Sequence, residues 1–146
     1  LVEAVDLQNK GIGRSMKAGK EAIFGAIAAL EYRMTQDMDA WTAEQDRKVN
    51  LALDLLKDIP GLELETEPDP NGCPFSRPKL TPDPEATGHT PHSLAEALRE
   101  GDPTVVPRAH YADQGHIYLD TIELTDDEIR FMCDKVRRIL TGGNPA

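Results

Sequence analysis

The chain has little cysteine: Cys73 and Cys133 are its only two in 146 residues, too few for a disulfide framework, and no Cys/His spacing matches a zinc module. A reducing, cytoplasmic setting is the expectation that follows. Apolar runs are short. None approaches the roughly eighteen residues needed to span a bilayer, and no signal peptide is visible. Positive charge is scarce as well, with 16 Lys and Arg against 26 Asp and Glu and a formal net charge of −10, so binding to nucleic acid or to an anionic membrane is disfavoured. Any anion site must be local. There is no internal repeat, nor the regular strand-helix alternation that builds a doubly wound parallel sheet. An initiator Met is also missing from the opening LVEAVDLQNK, which reads as the interior of a longer protein.

What is present suits a soluble globular chain, with 39% hydrophobic and 29% charged residues. A long helix is expected from near Ala18 to about Met34. Its stretch Ala22 to Leu30 is apolar on every face, so it should pack against another domain or subunit. A second helix, Thr42 to Lys57, carries Val49, Ala52, Leu53 and Leu56 at helical spacing. After Pro60-Gly61, Leu62, Leu64 and Thr66 alternate with Glu63, Glu65 and Glu67, the period of a half-buried strand. Prolines at 68, 70, 74, 78, 82, 84 and 91 then predict a long loop over 68–91, interrupted at most by one short strand around Lys79 to Thr81. Ser93 is placed to cap a short helix through Arg99, and Val105-Val106 and Ile117-Tyr118-Leu119 read as two strands. In Thr125-Asp126-Asp127-Glu128 a capping box opens a closing helix whose apolar face is Ile129, Met132, Cys133, Val136, Ile139 and Leu140, with Gly142 as its stop. The expected fold class is α+β: a small, mainly antiparallel sheet with helices on one face.

Several groups of residues invite a chemical reading. His89-Thr90-Pro91-His92 with Cys73 suggests a metal, but the residues lie in a loop without a paired motif, and solvated histidines account for them. Cys133 falls on the apolar face of the closing helix, as a small buried residue would. The carboxylates of DTIELTDDE are used by helix capping, and Gly11, Gly13 and Gly19 match neither a P-loop nor a dinucleotide fingerprint. No metal site is expected. The basic turn GIGRSMKAGKEAI is different. Arg14, Lys17 and Lys20 gather where the first N–H groups of a helix are already electropositive, an arrangement that calls for an anion; the plain alternative is solvation or pairing with Glu21.

The segment NKGIGRSMKAGKEAIFGAIAALEY resembles the stretch that follows the catalytic-lysine region in selenocysteine synthase-like pyridoxal phosphate enzymes, a group that includes D-glucosaminate-6-phosphate ammonia-lyase type proteins. That group carries a similar G-[IV]-G-R-x-[ML]-K-x-G-K-E pattern before an alanine-rich helix. LREGDPTVVPRAHYADQGHIYLDTIELTDDEI is similar, more weakly, to the end of the small domain; the two stretches make up somewhat under two-fifths of the chain. The resemblance implies the C-terminal portion of a fold-type-I enzyme: residues 1–37 a linker and long helix bridging to an absent large domain, 38–146 the small α+β domain. It implies pyridoxal 5'-phosphate as cofactor, bound covalently by a lysine outside this chain. Arg14, Lys17, Gly19 and Lys20 become candidates for the cofactor phosphate across a homodimer or higher homo-oligomer. Lys17 or Lys20 as the covalent lysine itself is the other assignment; two cationic neighbours would help it lose its proton. Arg108 stands where such enzymes present an arginine to the substrate carboxylate, the alternative being an exposed pair with Asp102 or Asp113. Implied for the intact protein is a lyase or transferase that eliminates or replaces a β-substituent on an amino acid or amino sugar acid. The competing reading is a non-catalytic interaction module whose basic turn binds a phosphorylated ligand.

Overall fold

A computed structural model describes residues 1–11 and 19–142. The chain divides into two compact units, Leu1–Met38 and Asp39–Ala146. In the first, α1 spans Val2–Lys10, a helix the sequence reading does not include, and α2 spans Lys20–Met34. Among the described residues the apolar run in α2 is exposed: none of its side chains is buried, and Phe24 and Leu30 are 69% and 64% exposed.

Beyond Met38, where α3 (Met38–Leu56) begins, the second unit holds the rest of α3, β1 (Leu62–Pro68), β2 (Ser76–Pro82), α4 (Pro84–Thr87), α5 (Pro91–Arg99), a 3-10 turn (Ala112–Gln114), β3 (Ile117–Tyr118) and α6 (Asp126–Thr141). The strands form one antiparallel sheet in the order β1-β2-β3. Its register sorts the side chains. Leu64 faces Leu80, Leu62 faces Pro82 and Leu80 faces Ile117, so one surface of the sheet is apolar. That surface joins a single core with Ala52 and Leu56 of α3, Leu94 and Leu98 of α5, and Ile129, Met132 and Val136 of α6. The other surface receives the intervening residues Glu63, Glu65, Glu67, Arg77, Lys79 and Tyr118. The architecture is α+β, with an antiparallel sheet and helices packed on its apolar face.

The Pro-rich segment departs from expectation. Instead of at most three extended residues it holds a seven-residue strand, β2, at the centre of the sheet. Proline normally marks an edge because it has no ladder donor. Here the geometry spares that donor. Opposite Thr66 the Pro78 position exchanges no hydrogen bond with β1, since alternate antiparallel pairs do not, and on the other side the Pro78 carbonyl accepts from Leu119 N–H at 3.0 Å without having to donate in return. The ladder to β3 accordingly pairs only Lys79 and Leu80.

The expected strand at Val105-Val106 does not form. Val105 N–H donates to the Leu98 carbonyl at 3.0 Å, and Pro103 and Pro107 bracket the segment and deprive it of donors. Extended pairing resumes just after Pro107, where Arg108 and Tyr118 exchange backbone bonds of 2.9 and 3.0 Å as an isolated bridge. The cap of α5 is Thr90, not Ser93: Pro91 takes the first helical position, whose N–H would be unpaired in any case, and Ser93 closes the capping box as its third residue. The closing helix follows its signature. Thr125 and Glu128 form the reciprocal capping box, and Gly142 ends α6 at φ 68°, a left-handed position that suits glycine.

Candidate functional site

The polar surface of the sheet forms the floor of a cleft of about 600 Å³. β2 contributes Arg77 and Lys79, β1 contributes Glu67, β3 contributes Tyr118, and the isolated bridge brings in Arg108. Arg77 is buried, unusual for a side chain that never loses its charge, and its surroundings explain how. Its Nη1 donates to Asp69 Oδ2 at 2.7 Å and its guanidinium lies 4.7 Å from the centre of the Phe75 ring. The Arg77 bond holds the Asp69 carboxyl at about 2; desolvation opposes it, and the Asn71 backbone N–H assists. Arg77 Nε has no hydrogen-bond partner among the described residues and stands 3.7 Å from Asp120 Oδ2. The same Asp120 oxygen accepts from Arg108 Nε at 2.8 Å. One carboxylate therefore sits between two guanidinium groups.

On another wall the rings of Tyr111 and His116 are stacked, with centres 5.6 Å apart and planes 13° from parallel. Tyr118 meets both edge-on, at 5.8 and 5.1 Å, and its hydroxyl is 3.1 Å from His116 Nε2. Burial, and then the neighbouring Glu67 carboxylate, push the Tyr118 phenol above its ordinary range, so it stays protonated at neutral pH. Lys79 Nζ bonds Glu65 Oε2 at 2.7 Å, which raises the amine and lowers the carboxyl.

Of the residues singled out from sequence, Arg108 lines this cleft; its partner is Asp120 rather than Asp102 or Asp113. Gly19 and Lys20 belong to the first unit, where Gly19 is the N-cap of α2 and no side chain caps that terminus. Arg14 and Lys17 lie outside the described residues. Cys133 is buried, its thiol pushed up to about 12 chiefly by desolvation. His89 Nδ1 is 3.2 Å from Ser93 Oγ and His92 Nε2 is 2.7 Å from Asp113 Oδ1; no group of three metal-ligating side chains occurs among the described residues. Nor does any described helix have the length and apolarity to cross a membrane. Sequence reasoning missed Arg77, Lys79, Asp120 and the aromatic wall. Arg77 and Lys79 alternate with Pro78 and Leu80, a period-2 signal hidden by the prolines around it.

No family model matches the chain. The 5'-C-glycyluridine monooxygenase-decarboxylase of Streptomyces sp is 34% identical over 148 residues, covering 99% of this chain and 37% of that protein. D-glucosaminate-6-phosphate ammonia lyase of Salmonella typhimurium (strain 14028s / SGSC 2262) is 28% identical over 138 residues, 94% of this chain and 36% of that protein. A solved structure of D-glucosaminate-6-phosphate ammonia-lyase superposes with a TM-score of 0.67 at 26% identity, over 92% of this chain and 36% of that one. The chain resembles D-glucosaminate-6-phosphate ammonia lyase in sequence and in fold. The likeness drawn from the basic turn and the closing segment is thus borne out. A coverage of 92% takes in residues of both units, while the chain spans little more than a third of the length of these relatives.

Proposed function

We propose that this chain is the C-terminal portion of a cytoplasmic pyridoxal 5'-phosphate-dependent lyase or transferase that works as a homodimer or higher homo-oligomer. Its substrate is an amino sugar acid, and its reaction the elimination or replacement of a β-substituent. The observation that carries this reading is the agreement of sequence and fold with an ammonia lyase for D-glucosaminate 6-phosphate. A second relative named for glycyluridine adds to it, because both names describe an amino acid grouping attached to a sugar.

The described residues fit such a cofactor at one end. At the start of α2 the Gly19 N-cap leaves the first-turn N–H groups without a side-chain partner, and Lys20 is exposed beside them. That is a setting for a phosphate dianion, and Arg14 and Lys17 add charge in the adjoining sequence. When bound, the cofactor supplies an electron sink for the bonds at the substrate Cα. This chain's own contribution is position and charge. Arg108 gives its Nε to Asp120, so its two Nη groups hold no bond among the described residues and are available as a fork for the substrate carboxylate. Asp120 keeps that guanidinium in one plane, as a positioning residue.

The test uses the full-length protein from which these residues come. Purified protein should carry the visible absorbance of bound pyridoxal phosphate and release ammonia from D-glucosaminate 6-phosphate or a related amino sugar acid. Lys20→Ala should weaken cofactor retention on gel filtration, and Lys17→Ala should do so less. Arg108→Lys keeps the charge and loses the fork, so KM should rise about tenfold or more with cofactor binding unchanged. A colourless protein unable to bind pyridoxal phosphate would refute the reading.

A further inference from the structure

The outer-face cleft is larger than an amino acid head group needs, and its walls differ in kind. About 600 Å³ is the size of a site for a ligand of several carbons, whereas an α-amino carboxylate held by Arg108 would occupy one end. The remainder is bounded by the Tyr111–His116 stack and by donors and acceptors of both signs, Glu67, Lys79 and Gln114. Arg77 also lines the cleft, with its guanidinium bonded to Asp69 and 3.7 Å from Asp120. An aliphatic chain would cover the rings but take Glu67 and Gln114 out of water without a partner, at a cost. An acidic chain would meet Glu67 as well as Lys79. A hydroxylated chain answers both walls. Its C–H faces lie on the rings, and each hydroxyl both donates and accepts, so it can serve a carboxylate, an ammonium and an amide in turn.

The geometry points to this cleft as the subsite for a polyhydroxylated, sugar-like side chain, with the Tyr111–His116 stack as its platform. This assignment rests on the reading that Arg108 takes the substrate carboxylate, and it adds the part of the site that selects the substrate. Tyr118 braces both rings from the side at 5.8 and 5.1 Å, so the platform is held without the ligand. The Tyr118 hydroxyl lies 3.1 Å from His116 Nε2, which fixes it beside the platform.

The full-length protein can be titrated with D-gluconate and with hexanoate, two six-carbon carboxylates that differ in their hydroxyl groups. Binding is read from the ring C–H signals of Tyr111, His116 and Tyr118 by NMR. Gluconate should shift those signals and bind about fivefold more tightly than hexanoate. Tyr111 is 40% exposed, so Tyr111→Leu leaves the core intact; it should remove that preference, and Tyr111→Phe should retain it. Equal affinity for the two acids, or a preference that survives Tyr111→Leu, would overturn the assignment. Arg108→Gln separates the two readings. Loss of both acids in that variant supports the carboxylate contact; unchanged gluconate binding that still depends on Tyr111 refutes that contact and leaves the platform standing.

Discussion

Asp69 and Arg77 show how one residue's titration is tied to the fold. The Asp69 carboxyl titrates at about 2 in the folded chain against an ordinary 3.8, principally because Arg77 bonds it. A pKa lowered by folding contributes stability that is fully present above the ordinary value and is lost as the pH falls through the folded one. Asp69→Asn should therefore unfold at lower urea than the wild type at neutral pH, and the gap should narrow between about pH 4 and pH 2. Urea midpoints of the two proteins across that range are the measurement; a constant gap would mean that the pair does not supply the effect. Arg77 could not be identified from sequence as a buried cation. Burial comes from Asp69 eight positions earlier and the Phe75 ring beneath it, contacts created by strand pairing.

Among the elements, the two capping boxes invite comparison. Thr125 opens α6 with Glu128, and Thr90 opens α5 with Ser93. In α6 the signature is the standard Thr-x-x-Glu, and its boundary is legible from the sequence. In α5 the reciprocal partner is a serine, which by itself reads as a cap, and this accounts for the displaced start. Thr125→Ala should cost about 1 kcal/mol, measured by thermal or urea unfolding, because the Glu128 backbone N–H loses its acceptor. An unchanged midpoint would show that water replaces the cap fully. β2 is the opposite case. Its prolines argue locally against a strand, and only the pairing partners reveal that the missing Pro78 donor would have faced the end of the β3 ladder.

For the molecule as a whole, α2 is the unresolved debt of apolar surface. Ile23, Phe24, Ile27 and Leu30 recur at helical spacing and are 48%, 69%, 45% and 64% exposed. Apolar patches of this kind are where interaction surfaces are expected, and association of the chain is the test. In sedimentation velocity the isolated chain should associate as concentration rises, and Phe24→Glu should shift it towards monomer. A compact monomer at high concentration would count against a partner for this helix.

What the sequence by itself determined about this protein is what depends on neighbours along the chain. The periodic faces of α3 and α6, the alternation of β1 and the cap of α6 are settled within a few residues of one another. The resemblance to D-glucosaminate-6-phosphate ammonia lyase was legible for a similar reason: a contiguous stretch of glycines and cations carries it. The tertiary structure alone decided the central position of β2, the unpaired course of Val105-Val106, and the cleft. Arg77, Arg108, Tyr111 and Tyr118 are separated along the chain and share no local pattern; they line one space because β2, the Arg108 bridge and the turn after it meet on the polar face of the sheet. Local spacing sets which side of an element is apolar, whereas the distance between two elements is set by the core that both must bury.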